Sequence, residues 1–440
     1  MDRDTCAGVS EADRDIIAEG WLSDEASRLV RDLTDIGGRF AGSPEEKAAV
    51  DLLKNRMGDI GLAGIRAEEF EYTGWKRGRI SLETTHPRAC RFEALALPHS
   101  PASAVEGELV YLGYGTPGEF RARAGQLEGK IVMIDAKSPH YVPAPIHRKE
   151  KYRRAVEEKA AGVLWMRDQG GHLEETGSLY AGCQVPAAGI SQETGQRILR
   201  LGESGPVRLR LKMENRVEKT VSWNVIGELP GRGDGDRLLV AGAHFDGHDI
   251  AQGALDNAAG VAIMLEAARL LARHRDLLGR GIRFICFSAE ELGLIGSRAY
   301  VDQEESQLDR IDFMLNLDGA GRGGVTGLGL QDWPELIPHF RSLLANMRMP
   351  LLVDVALRRN SDMYPFTLKG VPSGYIRALD ERPTGRNWGH TSADTFDKVS
   401  KLNLRMDAIL TARLLLQASA FSGEWPARRY SGEEIRERFG

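Results

Sequence analysis

The sequence predicts an α/β fold, a mostly parallel central sheet with helices on both faces, plus an inserted β-rich domain. Three observations predict it. From residue 221 onward, short apolar runs alternate with helical stretches, the pattern of strand–helix–strand units. The runs at 238–243, 282–287, 312–317 and 373–378 are apolar throughout, as strands buried on both faces must be. Residues 100–215 have a different texture, with short strand-like runs, turns and few carboxylate clusters.

The elements follow in order. Residues 25–62 read as helical, broken at 37–44 by Gly-Gly-Arg-Phe-Ala-Gly-Ser-Pro. Ser43 before Pro44, with Glu46 three residues on, is a helix-start signal. The helix it starts carries Ala49, Leu52, Leu53 and Met57 on one face. Residues 65–110 read as short strands joined by turns. Inside 100–215, strands are expected at 108–112, 130–135, 162–166 and 185–190, with helices at 148–161 and 192–202. The chain therefore divides into a discontinuous main domain, 1–99 and 216–440, and an insert, 100–215. In the main domain the clearest helix is 257–274, with Val261, Met264, Leu265, Ala268 and Leu271 on one face. A final amphipathic helix covers about 402–419.

Composition bounds the function. At 440 residues, 42% hydrophobic and 28% charged, the chain suggests two domains with a large core and excludes global disorder. A net charge of -5 without a basic stripe argues against nucleic acid as a partner. No apolar run is long enough to span a bilayer, so no membrane partner is expected. The opening Met-Asp-Arg-Asp-Thr-Cys lacks the basic-then-apolar pattern of a secretory signal, so a cytoplasmic location is expected, with export of a trimmed form left open. Cys6, Cys90, Cys183 and Cys286 lie far apart and suggest neither a disulfide framework nor a cysteine metal site.

Five metal-ligand-type residues stand at strand ends or in the loops beside them. His244 follows the run 238–243. Asp256 stands just before the 257–274 helix. Glu291, with Glu290 before it, follows 283–289. Asp318 follows 313–317, and His390 lies in a Gly- and Arg-rich loop beyond Tyr375-Ile376. Ligand sites of open α/β sheets lie beyond the carboxyl ends of the strands, so these residues are expected to converge. Two imidazoles and three carboxylates suit two zinc ions bridged by one carboxylate, and Asp256 is the expected bridge. Asp246, two residues from His244, has the reach to fix the second ring nitrogen of that histidine. Extended backbone at Glu290-Glu291 would point the two carboxyls to different sides. One would then bind metal while the other takes a proton from a metal-bridging water. This is the equipment of a metal-dependent hydrolase.

Other polar residues are read more plainly. His248 and Asp249 are expected to support the site or face solvent rather than bind metal. His86, His99, His140, His147, His172, His274 and His339 read as structural. Arg358, Arg359, Arg377, Arg382 and Arg386 are candidates to clamp a substrate carboxylate, and Tyr364 and Tyr375 to stabilise an oxyanion. The sequence does not choose among them.

The motifs His244-Phe-Asp246, Gly-Ala-Leu-Asp256-Asn257-Ala-Ala-Gly, Ser-Ala-Glu290-Glu291-Leu-Gly, Asn-Leu-Asp318 and Gly-His390-Thr-Ser-Ala-Asp394 together resemble the M28 family of co-catalytic zinc exopeptidases. Gly38-Arg39-Phe40-Ala41-Gly42-Ser43-Pro44 and Asn224-Val225-Ile226-Gly227 extend the resemblance upstream, and 100–215 resembles a protease-associated domain. The resemblance implies a zinc-exopeptidase fold and two zinc ions per chain. It places His244 and Asp318 on one ion, Glu291 and His390 on the other, and Asp256 between them. Glu290 is then general base and acid, and Asp246 orients His244. His248 to Gly253 resembles the plasma glutamate carboxypeptidase-like dipeptidases, and Ser361-Asp362 with Gly370-Val371-Pro372 resembles a loop near the substrate. The implied activity is that of an aminopeptidase or dipeptidase acting on short peptides. A glutamate-carboxypeptidase-like carboxypeptidase and a non-catalytic interaction protein of the same fold are the alternatives. A glutaminyl-cyclase-like transferase would need a single zinc, which the five-ligand set argues against. The resemblance also leaves room for a homodimer.

Overall fold

The four apolar runs form the parallel centre of an eight-stranded sheet. Leu238–His244 pairs in parallel with Gly281–Phe287 on one side and Ile311–Asn316 on the other, and Ile311–Asn316 pairs in parallel with Ser373–Ala378. Arg216–Leu229 and Val325–Leu330 flank this centre antiparallel to it. From edge to edge the order is Ala63–Lys76, Arg216–Leu229, Gly281–Phe287, Leu238–His244, Ile311–Asn316, Ser373–Ala378, Val325–Leu330, Leu352–Val355. The computed structural model describes residues 3–142, 144–232, 237–378 and 388–439, with the side chains of 3–7 and 326 left out.

Side chains alternate across this sheet as a pleat requires. Leu239, Ala241, Ala243, Phe284 and Cys286 join one core with helices Glu25–Ile36, Pro44–Ile60, Ala259–Ala272 and Lys401–Ala420. Val240, Ile285, Phe287 and Met314 face a second core with Tyr300, Val301, Met363 and Phe366, from helices Ile295–Gln303 and Met363–Leu368. Helices thus cover both faces. Ala259–Ala272 is buried at every residue but Arg269, on all sides rather than along the single apolar face the periodicity suggests. Gly260 makes its close seating feasible, because a Cβ there would lie 2.0 Å from the Leu317 carbonyl oxygen.

Two local results differ from expectation. Helix Arg3–Leu22 has no counterpart in the sequence reading; it buries Val9, Ala12 and Ile16 and pairs Asp13 with Arg413 of the last long helix at 2.7 and 2.8 Å. At Pro44–Ile60, Ser43 caps the Glu46 N–H at 3.1 Å, but Glu46 does not reach back to Ser43. Its buried carboxyl accepts instead from the Gly42 N–H at 2.6 Å and from the hydroxyls of Ser222 and Ser288. Burial pushes it up to about 7 against those hydrogen bonds.

The chain forms two compact units, 1–71 with 221–389 and 394–440, and 72–220 with 390–393. The second has its own eight-stranded sheet. Ser103–Tyr111, Ile131–Asp135, Gly162–Met166 and Ala187–Ile190 run in parallel, and Ile80–His86, Cys90–Phe92 and Arg208–Met213 extend it with antiparallel pairs. Through these pairs the unit takes in residues ahead of the insert read at 100–215. Among the described residues no helix is long and apolar enough to cross a membrane.

Candidate metal centre

Three of the parallel strands deliver side chains to one edge of the first sheet. His244 closes its strand in register with Phe287. Its Nε2 lies 3.5 Å from Asp256 Oδ1 and 3.9 Å from Asp318 Oδ1. Its Nδ1 lies 3.2 Å from the main-chain oxygen of Asp246 and 3.5 Å from Oδ1 of the same residue. The Asp246 carboxylate also accepts the N–H groups of Glu290 and Glu291, each at 3.1 Å. The backbone there is a turn entered through Ala289 at φ +54°, so the two glutamates are set by that turn and not by strand alternation.

Other groups around the site are held as well. Asp318 Oδ2 accepts the Ser361 hydroxyl at 2.6 Å, and Ser361 accepts from Asn316 Nδ2 at 2.5 Å. The N–H groups of Leu255 and Asp256 donate to the two oxygens of Asp394 at 2.8 and 3.0 Å. His248 Nε2 lies 3.0 Å from Glu291 Oε2. The result is two triads: His244, Asp256 and Asp318 form one, and His248, Glu291 and His390 the other. Within each, the potential ligand atoms all lie within 4.8 Å of one another. Asp318 is half-buried and the other five are buried.

The electrostatics are those of a site short of positive charge. Burial pushes Glu290 well above the usual carboxylate range; His244 opposes this, and Glu291, Asp318 and Asp362 reinforce it. Burial likewise takes Asp362 up to about 7 and Asp394 up to about 6. Burial alone would lower His244, yet Glu290, Asp246 and Asp256 outweigh it and hold the ring well above its ordinary value. Arg322 Nη2 sits 3.0 Å from Asp256 Oδ1 and 3.9 Å from Asp318 Oδ1. Imidazole nitrogens and carboxylate oxygens are zinc donors, and three protein ligands is the count of a catalytic zinc. The donor set fits zinc.

Residues 224–414 match Peptidase family M28, and residues 105–198 match the PA domain. The segment 224–414 is thus similar to peptidase family M28 and 105–198 to the PA domain. Leucine aminopeptidase 2 of Trichophyton rubrum is 28% identical over 285 residues, which span 64% of this chain and only 54% of that relative. Carboxypeptidase Q of Homo sapiens is 25% identical over 430 residues, 93% of this chain and 88% of that protein. The solved structure of an aminopeptidase from Aneurinibacillus sp. strain AM-1 has a TM-score of 0.68 at 27% identity, over 95% of this chain and 97% of that one.

The five residues singled out by sequence all fall in the two triads. Asp256, expected between the metals, groups with His244 and Asp318, and His248, expected to support the site or face solvent, lies with Glu291 and His390. The arginine candidates disperse. Arg377 pairs with Asp354 at 2.7 Å and Arg358 lies over the Tyr375 ring at 4.2 Å, while Arg382 and Arg386 lie outside the described residues. The arginine near the triads is Arg322, whose only sequence signal is its place four residues after Asp318.

Proposed function

We propose that this chain is a zinc-dependent exopeptidase that cleaves the terminal bond of short peptides, as an aminopeptidase or dipeptidase. One observation carries the reading: two His/carboxylate triads stand at the carboxyl end of the sheet's parallel strands, with the half-buried Glu290 beside them. In this reading His244 and Asp318 would hold one ion, Glu291 and His390 a second, and Asp256 would serve both. A zinc pair supplies Lewis-acid polarisation of the scissile carbonyl and acidifies the attacking water. Glu290 accepts the proton of that water and returns it to the leaving amine. Burial raises the proton affinity of Glu290 above that of an ordinary carboxylate, in the direction that helps it take up a proton. Asp246 serves both ends of the chemistry, facing His244 Nδ1 and fixing the Glu290–Glu291 turn. Ser361 steadies Asp318, and Asp394 steadies the backbone of Asp256.

A carboxypeptidase is the second reading, favoured by the near full-length likeness to carboxypeptidase Q. A panel of short peptides separates the two, with free or acetylated N-termini and free or amidated C-termini. Cleavage that needs the free amine supports the aminopeptidase or dipeptidase. Cleavage that tolerates acetylation but needs the carboxylate supports the carboxypeptidase. Failure on every peptide by a chain carrying no zinc would leave a non-catalytic relative.

A further inference from the structure

We infer that Arg322 binds the free carboxylate of the substrate and so directs the chain toward dipeptides; the inference rests on the reading of this site as a peptidase centre. The site is crowded with acids: Asp256, Glu290, Glu291, Asp318 and Asp362. A substrate that ends in a carboxylate is repelled there unless a fixed cation receives it. Among the described residues, Arg322 is the one lysine or arginine whose ion pairs go to the proposed metal-holding carboxylates, 3.0 Å to Asp256 and 3.9 Å to Asp318.

The backbone is shaped to put the guanidinium there. Gly319 and Gly321 take left-handed conformations, at φ +95° and +80°, and the turn they make returns Arg322 to Asp318, four residues back. Asp407 pins that turn by accepting the Gly321 N–H at 2.7 Å. One edge of the fork is engaged, Nε reaching the Leu255 carbonyl at 3.4 Å and Nη2 facing Asp256 Oδ1. The N–H groups of Nη1 lie on the other edge of the same plane. The side chain is 28% exposed, against 6% for Asp256 and 17% for Asp318, so it meets solvent where an incoming carboxylate arrives. Burial opposes its charge, but Asp256, Asp318, Asp394 and Glu291 outweigh burial and keep it protonated. Distance then sets the length of the substrate. The reacting carbonyl belongs beside the triads, and successive residues of a peptide are about 3.8 Å apart. A cation this close to Asp256 and Asp318 meets the carboxylate of the residue directly after the scissile bond. A longer peptide carries its carboxylate past it.

The competing role for Arg322 is to neutralise Asp256 and nothing more. The two roles part on a pair of ligands, a non-hydrolysable phosphinic dipeptide with a free carboxylate and the same compound as its carboxamide. The zinc-loaded full-length protein, Arg322→Gln and Arg322→Lys are titrated with each by calorimetry. The matching dipeptide, its amide and a tripeptide extended at the carboxyl end give kcat and KM. Wild type should bind the acid roughly 10- to 100-fold more tightly than the amide, as a lost hydrogen bond to a charged group implies. It should also cleave the dipeptide in preference to the tripeptide. In the glutamine variant the preference for acid over amide should vanish, the loss falling on KM rather than kcat, with the zinc content by atomic absorption unchanged. Lysine keeps the charge without the fork and should restore part of the preference. A role confined to Asp256 would weaken acid and amide alike, and that result overturns the inference. So does a wild type that binds both ligands equally. Should the glutamine variant fail to fold or lose zinc, the lysine variant decides: a reduced preference at full zinc content supports the inference, and an undiminished one overturns it. Wild type that takes up fewer than two zinc ions fails instead at the reading of the centre, and that failure is visible before any variant is compared.

Discussion

Glu290 and Glu291 are adjacent and chemically alike, yet they have different surroundings. Glu291 faces His248, whereas Glu290 is half-buried near His244, Glu291, Asp318 and Asp362. Glu290→Gln keeps the shape and removes the proton acceptor. It should lower kcat by about 10²- to 10⁴-fold while zinc content, read by atomic absorption, stays at the wild-type level. Near-normal turnover would remove Glu290 from the role of base. Sequence makes this pair legible because two glutamates after an apolar run are conspicuous. It hides Arg39 and His248 for a physical reason: both act within irregular loops that have no period to read. A fully buried arginine bonded to carbonyl oxygens looks, in sequence, like any surface arginine. Burial lowers Arg39 to about 10, which still leaves it charged at neutral pH.

Elements are legible where one periodicity dominates. The four central strands are continuous apolar runs, and each lies within a residue or two of its expected place. Helix Arg3–Leu22 is not legible, because only a thin apolar stripe seats it and its fit depends on Arg413, some 400 residues away in sequence. A similar long-range contact joins helix Lys401–Ala420 to the turn after Asp318, where Asp407 Oδ2 accepts the Gly321 N–H at 2.7 Å. Burial pushes Asp407 from 3.8 up to about 7, with the Gly321 hydrogen bond opposing. The folded state then holds a proton that the unfolded state releases, so this group costs stability as pH rises from about 4 to about 7. Asparagine can accept the same N–H without charge. Asp407→Asn should therefore match wild type near pH 4 and melt progressively higher than wild type up to pH 7–8. Thermal melts across this range test it, and a melting difference independent of pH would show that Asp407 carries no such cost.

For the whole molecule, composition and texture point to two domains and an α/β class, and both sheets bear that class out. That Ile80–His86 joins the second sheet is not legible, because membership of a sheet is decided by a strand's partner, and Arg208–Met213 lies more than a hundred residues beyond it. The metal centre has a cost at this scale. Asp256, Asp318, Glu290, Glu291 and Asp362 are brought near one another at one sheet edge, and like charges at short range repel. A bound cation offsets that repulsion and stabilises the folded chain by mass action, about 4 kcal/mol when free zinc exceeds its Kd 1,000-fold. Chelation should therefore abolish hydrolysis and also lower the melting temperature, and added zinc should restore both. Because imidazole and carboxylate ligands must shed protons to bind, the zinc-dependent gain in melting temperature should shrink as pH falls. Melting curves with and without chelator between pH 5 and 8 measure both effects. A chain that melts identically in both, with hydrolysis intact, would have no structural or catalytic need for the metal, and the assignment of the two triads as its site would fall.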